Sequence, residues 1–175
     1  MSTSCPACGA RLTRNTGSDS ACCGFCGYER LCSPGSFSAP SPYDRSRCDK
    51  SILQLHRYCS GTNIRSENAF TIPLEEETYS PGQRDLDGIA SLYVPLFTDD
   101  LNDYFRERYL SLKTGGMLMI VCPVKSRFHR PAPLPGQKHI FGRRTLFYLM
   151  ERHGFKLHWK DRFRRNPLTL IAKKM

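Results

Sequence analysis

Four cysteines, Cys5, Cys8, Cys23 and Cys26, stand in two Cys-x-x-Cys-Gly stretches, Cys5-Pro6-Ala7-Cys8-Gly9 and Cys23-Gly24-Phe25-Cys26-Gly27. Four thiolates are the soft, tetrahedral ligand set that suits Zn2+. A Cys-x-x-Cys turn lets both sulfurs of a knuckle reach one ion, and the glycine after it permits a sharp backbone turn. Fourteen residues separate Cys8 from Cys23, close to the doubled pattern in which two knuckles enclose one metal. Four protein ligands close the coordination sphere, so the expected zinc is structural and has no open position for a reacting water. Cys22 is a conceivable substitute ligand, but Cys23 preserves the spacing.

Disulfides and a redox pair are the competing readings. A thioredoxin-type Cys-x-x-Cys needs a βαβ context, which Arg11 to Ala21 does not offer. No apolar stretch follows Met1, so no signal peptide is expected, and no apolar run is long enough to span a membrane. The nine cysteines therefore read as metal ligands plus spare thiols in a reducing cytoplasm. His56 with Cys59 is a conceivable second metal pair, against the plainer reading of neighbours on one helix. No Ser/His/Asp or Cys/His nucleophile arrangement has a supporting local motif, so the catalytic residues, if any, stay unassigned.

Charge divides the chain. Its 175 residues carry a net charge of +10, yet residues 1–124 hold 12 Lys/Arg against 14 Asp/Glu. Residues 125–175 hold 14 Lys/Arg against Glu151 and Asp161 alone. Such a basic end suits an anionic partner: nucleic acid, a phospholipid surface or a phosphorylated substrate. A merely solvated basic surface is the bland alternative. Basic and aromatic residues interleave at Arg127-Phe128-His129-Arg130, Lys156-Leu157-His158-Trp159-Lys160 and Arg162-Phe163-Arg164-Arg165, which suits phosphate contact with base stacking. The alternation of Phe155, Leu157 and Trp159 with Lys156, His158 and Lys160 reads more simply as a strand with an apolar inner face. Arg162, Arg164 and Arg165, in a connecting loop, are then the anion-binding candidates.

These residues need a framework. Residues 1–32 read as a zinc ribbon in which Arg11 to Thr13 pairs with Tyr28 to Leu31. So short a unit cannot bury a core, and the metal must supply its folding energy. Residues 33–48 form a linker rich in Ser and Pro. Residues 49–175 form an α/β domain. It opens with a helix over 49–59 that has Ile52, Leu53, Leu55 and His56 on one face. Phe70 to Ile72 is a candidate strand, and Glu75 to Glu77 a solvated turn. Ile89 to Val94 is a buried strand, with Asp85 and Asp87 as turn residues before it. Asp99 or Asp100 caps a helix carrying Leu101, Tyr104, Phe105, Tyr109 and Leu112. Lys113 to Gly116 ends that helix, and Met117 to Cys122 is a central parallel strand. A second helix from Arg143 to His153 turns Leu146, Phe147 and Met150 inward and stops at Gly154. Phe155 to Lys160 and Leu168 to Ala172 close the order as a strand pair.

Leu101 to Leu112, Lys113-Thr114-Gly115-Gly116 and the strand ending at Pro123 resemble the late part of class I S-adenosylmethionine-dependent methyltransferases. His139-Ile140-Phe141, Arg144-Thr145-Leu146 and Gly154-Phe155 follow at the family's intervals, and one branch of the family carries an N-terminal Cys-x-x-Cys ribbon. The resemblance covers the ribbon and residues 85–175. It implies a Rossmann-like sheet and S-adenosylmethionine as cofactor. That cofactor is held in the family by a Gly-x-Gly loop after the first strand and an acidic residue after the second. Between the linker and residue 85 this chain has Gly61 and Gly82 alone. Where many relatives place Glu-His after the Ile89 to Val94 strand, it has Pro95-Leu96.

One βαβ unit takes about 30 residues or more, and the family places nearly two of them within the stretch 51–84. The expectation is an α/β fold with a truncated methyltransferase half-sheet, a closing antiparallel pair and a zinc ribbon, in a non-catalytic binding or scaffold protein. The alternative is an active methyltransferase with an atypical or partner-completed cofactor site. Truncation would leave the Ile89 to Val94 strand near an exposed edge, covered by residues 51–72, by another protein or by a second copy of the chain.

Overall fold

The computed structural model describes residues 4–14, 20–32, 45–69, 84–126, 130–160 and 167–175. They form a mixed α/β fold with two five-stranded sheets. The larger sheet takes its centre from the two most apolar runs of the chain. Strand β5 (Leu86–Leu92) is buried along its whole length, and β6 (Leu112–Cys122) is buried from Gly116 onward. Strands buried on both faces suit parallel pairing, and β5 and β6 run parallel, with Gly88 opposite Met117 and Leu92 opposite Val121. Strand β10 (Leu168–Lys174) runs antiparallel to β6, and β9 (Phe155–Lys160) antiparallel to β10. The expected closing pair is thus present.

Beyond β5 lies β4 (Ile64–Asn68), parallel to it. It covers the edge that truncation would expose, from within residues 51–72 as expected. The candidate strand Phe70 to Ile72, like Glu75 to Glu77, lies outside the described residues. The observed strand reads Ile-Arg-Ser-Glu-Asn, too polar to announce itself by hydropathy.

Helix α1 (Arg45–Tyr58) begins inside the stretch read as linker. Its inner face is Cys48, Ser51 and Leu55 at helical spacing, whereas Leu53 is 64% exposed and His56 faces outward. The apolar content of this helix is too low to mark a face, and one hydrogen-bonded serine, Ser51 to Thr169 at 3.3 Å, substitutes for a hydrophobe. Helix α2 (Leu101–Ser111) is capped by Asp100, whose carboxylate accepts from the backbone N–H groups of Asn102 and Asp103. Its buried residues are Leu101, Tyr104, Phe105 and, unexpectedly, Arg108. Helix α3 (Arg143–Arg152) buries Thr145, Leu146, Leu149 and Met150, with Phe147 half-buried. On β10, Thr169 meets Ser51 of α1 and Lys174 Nζ donates to Tyr109 O of α2. Strand residues of opposite parity point to opposite faces, so α1 covers one face of the sheet and α2 with α3 the other.

Residues 113–116 do not simply end a helix. They bulge out of β6 opposite Asp87, where the register jumps from Leu86–Leu112 to Gly88–Met117. Asp85 is a left-handed turn residue at φ 64°, but Asp87 belongs to β5. Its carboxylate accepts from the Asn63 N–H at 2.9 Å and pairs with Lys113 from the bulge. Gly61 sits against it so closely that a Cβ there would lie 2.1 Å from Asp87 Oδ2. Gly61→Ala must displace a carboxylate held by two partners, and is expected to cost about 1–3 kcal/mol. Urea unfolding checks this; a loss below about 0.5 kcal/mol would show that the site relaxes freely.

The second sheet joins the N-terminal segment to the rest. Its order is β1 (Thr13–Arg14), β2 (Ser20–Cys22), β3 (Glu29–Leu31), β8 (His139–Gly142) and β7 (Val124–Lys125). The expected pairing of Arg11 to Thr13 with Tyr28 to Leu31 is replaced by β1–β2 and β2–β3 ladders. Strand β3 in turn pairs with β8, Glu29 opposite Ile140 and Arg30 opposite His139. No helix among the described residues is long and apolar enough to cross a membrane.

Candidate metal centre

Each knuckle is built by the same two backbone bonds. Cys5 N–H donates to Ala10 O at 2.7 Å and Gly9 N–H to Cys5 O at 2.9 Å; Cys23 N–H donates to Tyr28 O at 2.8 Å and Gly27 N–H to Cys23 O at 3.0 Å. Gly9 and Gly27 close these turns at φ 76° and 81°, in the left-handed region that favours glycine. The turns aim all four sulfurs inward, within 4.8 Å of one another. Cys5 and Cys26 Sγ are 3.6 Å apart, and Cys8 and Cys23 Sγ 3.5 Å. A disulfide needs about 2.0 Å, and none of the nine cysteines is bonded to another. A sulfur tetrahedron around zinc at about 2.3 Å has edges near 3.8 Å. The cluster therefore fits a tetrahedral metal ion, and Cys23 rather than Cys22 belongs to it. Cys22 lies in β2, its carbonyl accepting from Thr13 Oγ1.

Electrostatics agree with a cation at the centre. Burial pushes the Cys5 and Cys26 thiols up. Burial opposes Cys23 as well, but the backbone N–H groups of Cys26 and Phe25 hold its thiol down to about 7. Four bare thiolates in so buried a place repel one another, and a divalent cation removes that penalty.

The surroundings fix the second knuckle to the α/β core. Thr145 Oγ1 donates to Cys26 O at 2.9 Å and accepts from Gly142 N–H at 3.1 Å. Arg152 donates to Pro6 O of the first knuckle at 2.8 Å. Tyr28 Oη donates to His139 Nδ1 at 2.9 Å, while His139 Nε2 donates to Thr98 O at 2.7 Å. Burial lowers the His139 pKa to about 4, so its ring is neutral and protonated on Nε2. Glu29 is buried too; burial opposes its ionisation, but Lys125, Ser20 and Arg130 hold its carboxyl below the ordinary range. Sequence reasoning missed Tyr28, Glu29, His139 and Thr145 as supports. The signal for His139 and Thr145 lay in the family-like spacing around them, without a hint that the ribbon was their partner.

The other candidates do not gather. His56 is exposed and Cys59 donates its thiol to Asp87 O at 3.5 Å. Among the described residues, the four cysteines are the one group able to hold a metal. Arg162, Arg164 and Arg165 lie outside the described residues. Phe155 is buried and Leu157 half-buried between exposed Lys156 and His158, the inner-face pattern expected of that strand.

At the carboxyl ends of the parallel strands, where open α/β sheets take ligands, the described residues make tight local turns. Tyr93 leaves β5 at φ 64° and donates its N–H to Val121 O. A 3₁₀ turn, Val94–Leu96, follows with Pro95 and Leu96 buried, and Lys138 N–H donates to Leu96 O. Strand β4 ends at Asn68, and Ala69 N–H donates to Leu92 O.

No protein-family model matches the sequence, and no curated protein does. Solved structures do. A possible exported protein from Bordetella parapertussis is 14% identical with a TM-score of 0.56, covering 81% of this chain and 75% of its own. The 1,6-didemethyltoxoflavin-N1-methyltransferase from Burkholderia thailandensis, with 1,6-didemethyltoxoflavin and S-adenosylhomocysteine bound, is 13% identical with a TM-score of 0.54, covering 85% and 96%. A further neighbour described as an S-adenosylmethionine-dependent methyltransferase, from Listeria monocytogenes, is 12% identical, with a TM-score of 0.43 and coverage of 57% and 66%. At these identities the likeness is one of fold: the chain is α/β and methyltransferase-like, with a cysteine cluster that could hold a metal.

Proposed function

We propose that the chain is a zinc-ribbon protein of the reducing cytoplasm whose methyltransferase-like domain is a binding or scaffold module for an anionic partner. The observation that carries this reading is the exit of β4. It is the first of the parallel strands, and after it the chain runs Asn68-Ala69-Phe70 with no glycine before Gly82. The family's Gly-x-Gly loop brings bare backbone against the cofactor at that place, and side chains there would obstruct the approach. Pro95 and Leu96, buried after β5, supply no acid or base where relatives have Glu-His. Zn2+ on Cys5, Cys8, Cys23 and Cys26 would supply folding energy and no reacting group.

The second reading, an active methyltransferase completed by a partner, is favoured by the likeness to an enzyme that holds S-adenosylhomocysteine. Calorimetry of the zinc-loaded chain with S-adenosylmethionine separates the two. No heat of binding is expected in the micromolar range; a micromolar Kd for the chain alone would establish a cofactor site and overturn the scaffold reading. The anionic partner is tested by retention on a phosphate polymer, which should fall linearly on a log–log plot as salt rises. Absence of retention at low salt would remove that part of the proposal.

A further inference from the structure

Helix α3 carries a stripe that flanks the metal centre and stands partly in solvent. Arg144, Tyr148 and Arg152 recur every fourth residue, hence on one face, each about 6 Å from the next along the axis. Arg144 and Arg152 are exposed and Tyr148 is half-buried. Phe25, from the second knuckle, stacks on Tyr148 with ring centroids 5.7 Å apart and planes 27° from parallel. One face of Phe25 is thus occupied, yet the residue is 64% exposed. A phenylalanine so placed adds little to the core. It is nevertheless held firmly, because Thr145 grips the carbonyl of the adjacent Cys26.

The charge along α3 is mainly positive, although the cavity that Arg152 lines is also lined by Asp99 and Asp100. Arg143 is half-buried at the start of the same helix, and Glu151 is its one carboxylate. Among the described residues none of Arg143, Arg144 and Arg152 forms an ion pair. Arg152 gives one donor to Pro6 O and keeps others for an outside acceptor. The cluster's own negative charge lies beneath, on cysteines of which three are buried.

We propose that this face binds single-stranded nucleic acid, with a base stacked on the free face of Phe25 and the flanking phosphates on Arg144 and Arg152. The proposal rests on the anionic-partner reading and gives that partner a place and a chemistry. An acidic peptide or a phospholipid surface would use the guanidinium groups but has no flat group for the ring. A duplex keeps its base faces stacked inside. An unpaired strand offers both the charge and the face.

The test uses the zinc-loaded 175-residue chain and fluorescein-labelled homopolymers of about ten nucleotides, the length range of a single-strand site. Oligo-U and oligo-dT are compared with a duplex of equal length and with anionic phospholipid vesicles. Wild-type protein should bind a single strand at low salt; tighter binding of one homopolymer identifies RNA or DNA as the source. Phe25→Ala should weaken that binding about 5- to 150-fold, the range for one stacked base. Arg144→Ala should reduce the salt slope by about one. Phe25→Trp should keep the affinity and show fluorescence quenched by the strand, a readout that an unfolded ribbon would not give. Failure to bind any polyanion overturns this site and the anionic-partner reading together. Wild-type binding that Phe25→Ala leaves unchanged, or equal Phe25-independent binding of duplex or vesicles, overturns this site alone.

Discussion

Cys26→Ser is expected to cost the protein its metal and, with it, the order of both ribbon and strand β8. The substitution leaves three sulfurs of a closed four-sulfur cluster. Structural zinc supplies an apparent 10–16 kcal/mol, roughly, in isolated zinc-finger peptides, against a total stability of about 5–15 kcal/mol for a typical domain. The described part of the ribbon adds to the cysteines only Ala7 and Tyr28 as buried apolar residues, with Ala10 and Leu12 partly buried beside them, too little to make up such a loss. The disturbance should pass into the α/β domain by defined routes. Strand β3 shares a ladder with β8, and Cys26 O is the acceptor that fixes Thr145 in the first turn of α3. Metal analysis should give one zinc per chain for wild type and for Cys22→Ser, and well under one for Cys26→Ser. Hydrogen exchange should show β3, β8 and the start of α3 losing protection together, while β5, β6 and β10 keep theirs. Unchanged metal content in Cys26→Ser, or equal loss in Cys22→Ser, would contradict the assignment.

The ease of reading this site from sequence has a physical cause. A Cys-x-x-Cys-Gly knuckle is a local object, closed by backbone bonds spanning four or five residues, so its spacing survives in one dimension. The buried strands β5 and β6 were legible for a similar reason: both are covered on two faces, and continuous apolar runs follow. What the sequence hid was long-range. Tyr28 meets His139 across 111 residues and Thr145 meets Cys26 across 119, and nothing in either partner's neighbourhood names the other. From sequence the ribbon is a unit set apart by a linker, whereas its strands form the edge of a sheet shared with β8 and β7. Strand β4 escaped notice because its anchor is ionic, and ionic anchors leave no periodic trace.

That anchor should be the costliest surface-derived interaction to remove. Glu67 is 7% exposed on β4 and uses both carboxylate oxygens. Oε1 accepts from Arg65 Nη2 at 2.6 Å; Oε2 accepts from Arg108 Nη2 at 3.0 Å and Nε at 3.2 Å. Arg108 comes from α2, its side chain 6% exposed and its guanidinium 4.1 Å from the centre of the Tyr104 ring. A buried pair gains little over apolar residues of equal volume, because desolvating two charges offsets their attraction. Breaking one leaves a buried charge uncompensated and costs about 3–5 kcal/mol. Glu67→Ala is therefore expected to lower unfolding free energy toward the lower end of that range, because Arg108 Nη1 keeps the half-exposed Glu107 carboxylate at 3.3 Å. Glu67→Gln should cost less, since an acceptor for Arg108 remains. Arg108→Met should also cost less, because Glu67 keeps Arg65 and the methionine stem fills the space against Tyr104. The double variant Glu67→Met with Arg108→Met should recover part of the loss, which a double-mutant cycle in urea would show. If Glu67→Ala costs under about 1 kcal/mol, water reaches the pair and the anchor is a surface ion pair. If the full cost appears, loosening of β4 should bare the edge of β5, and the variant should aggregate at concentrations where wild type does not.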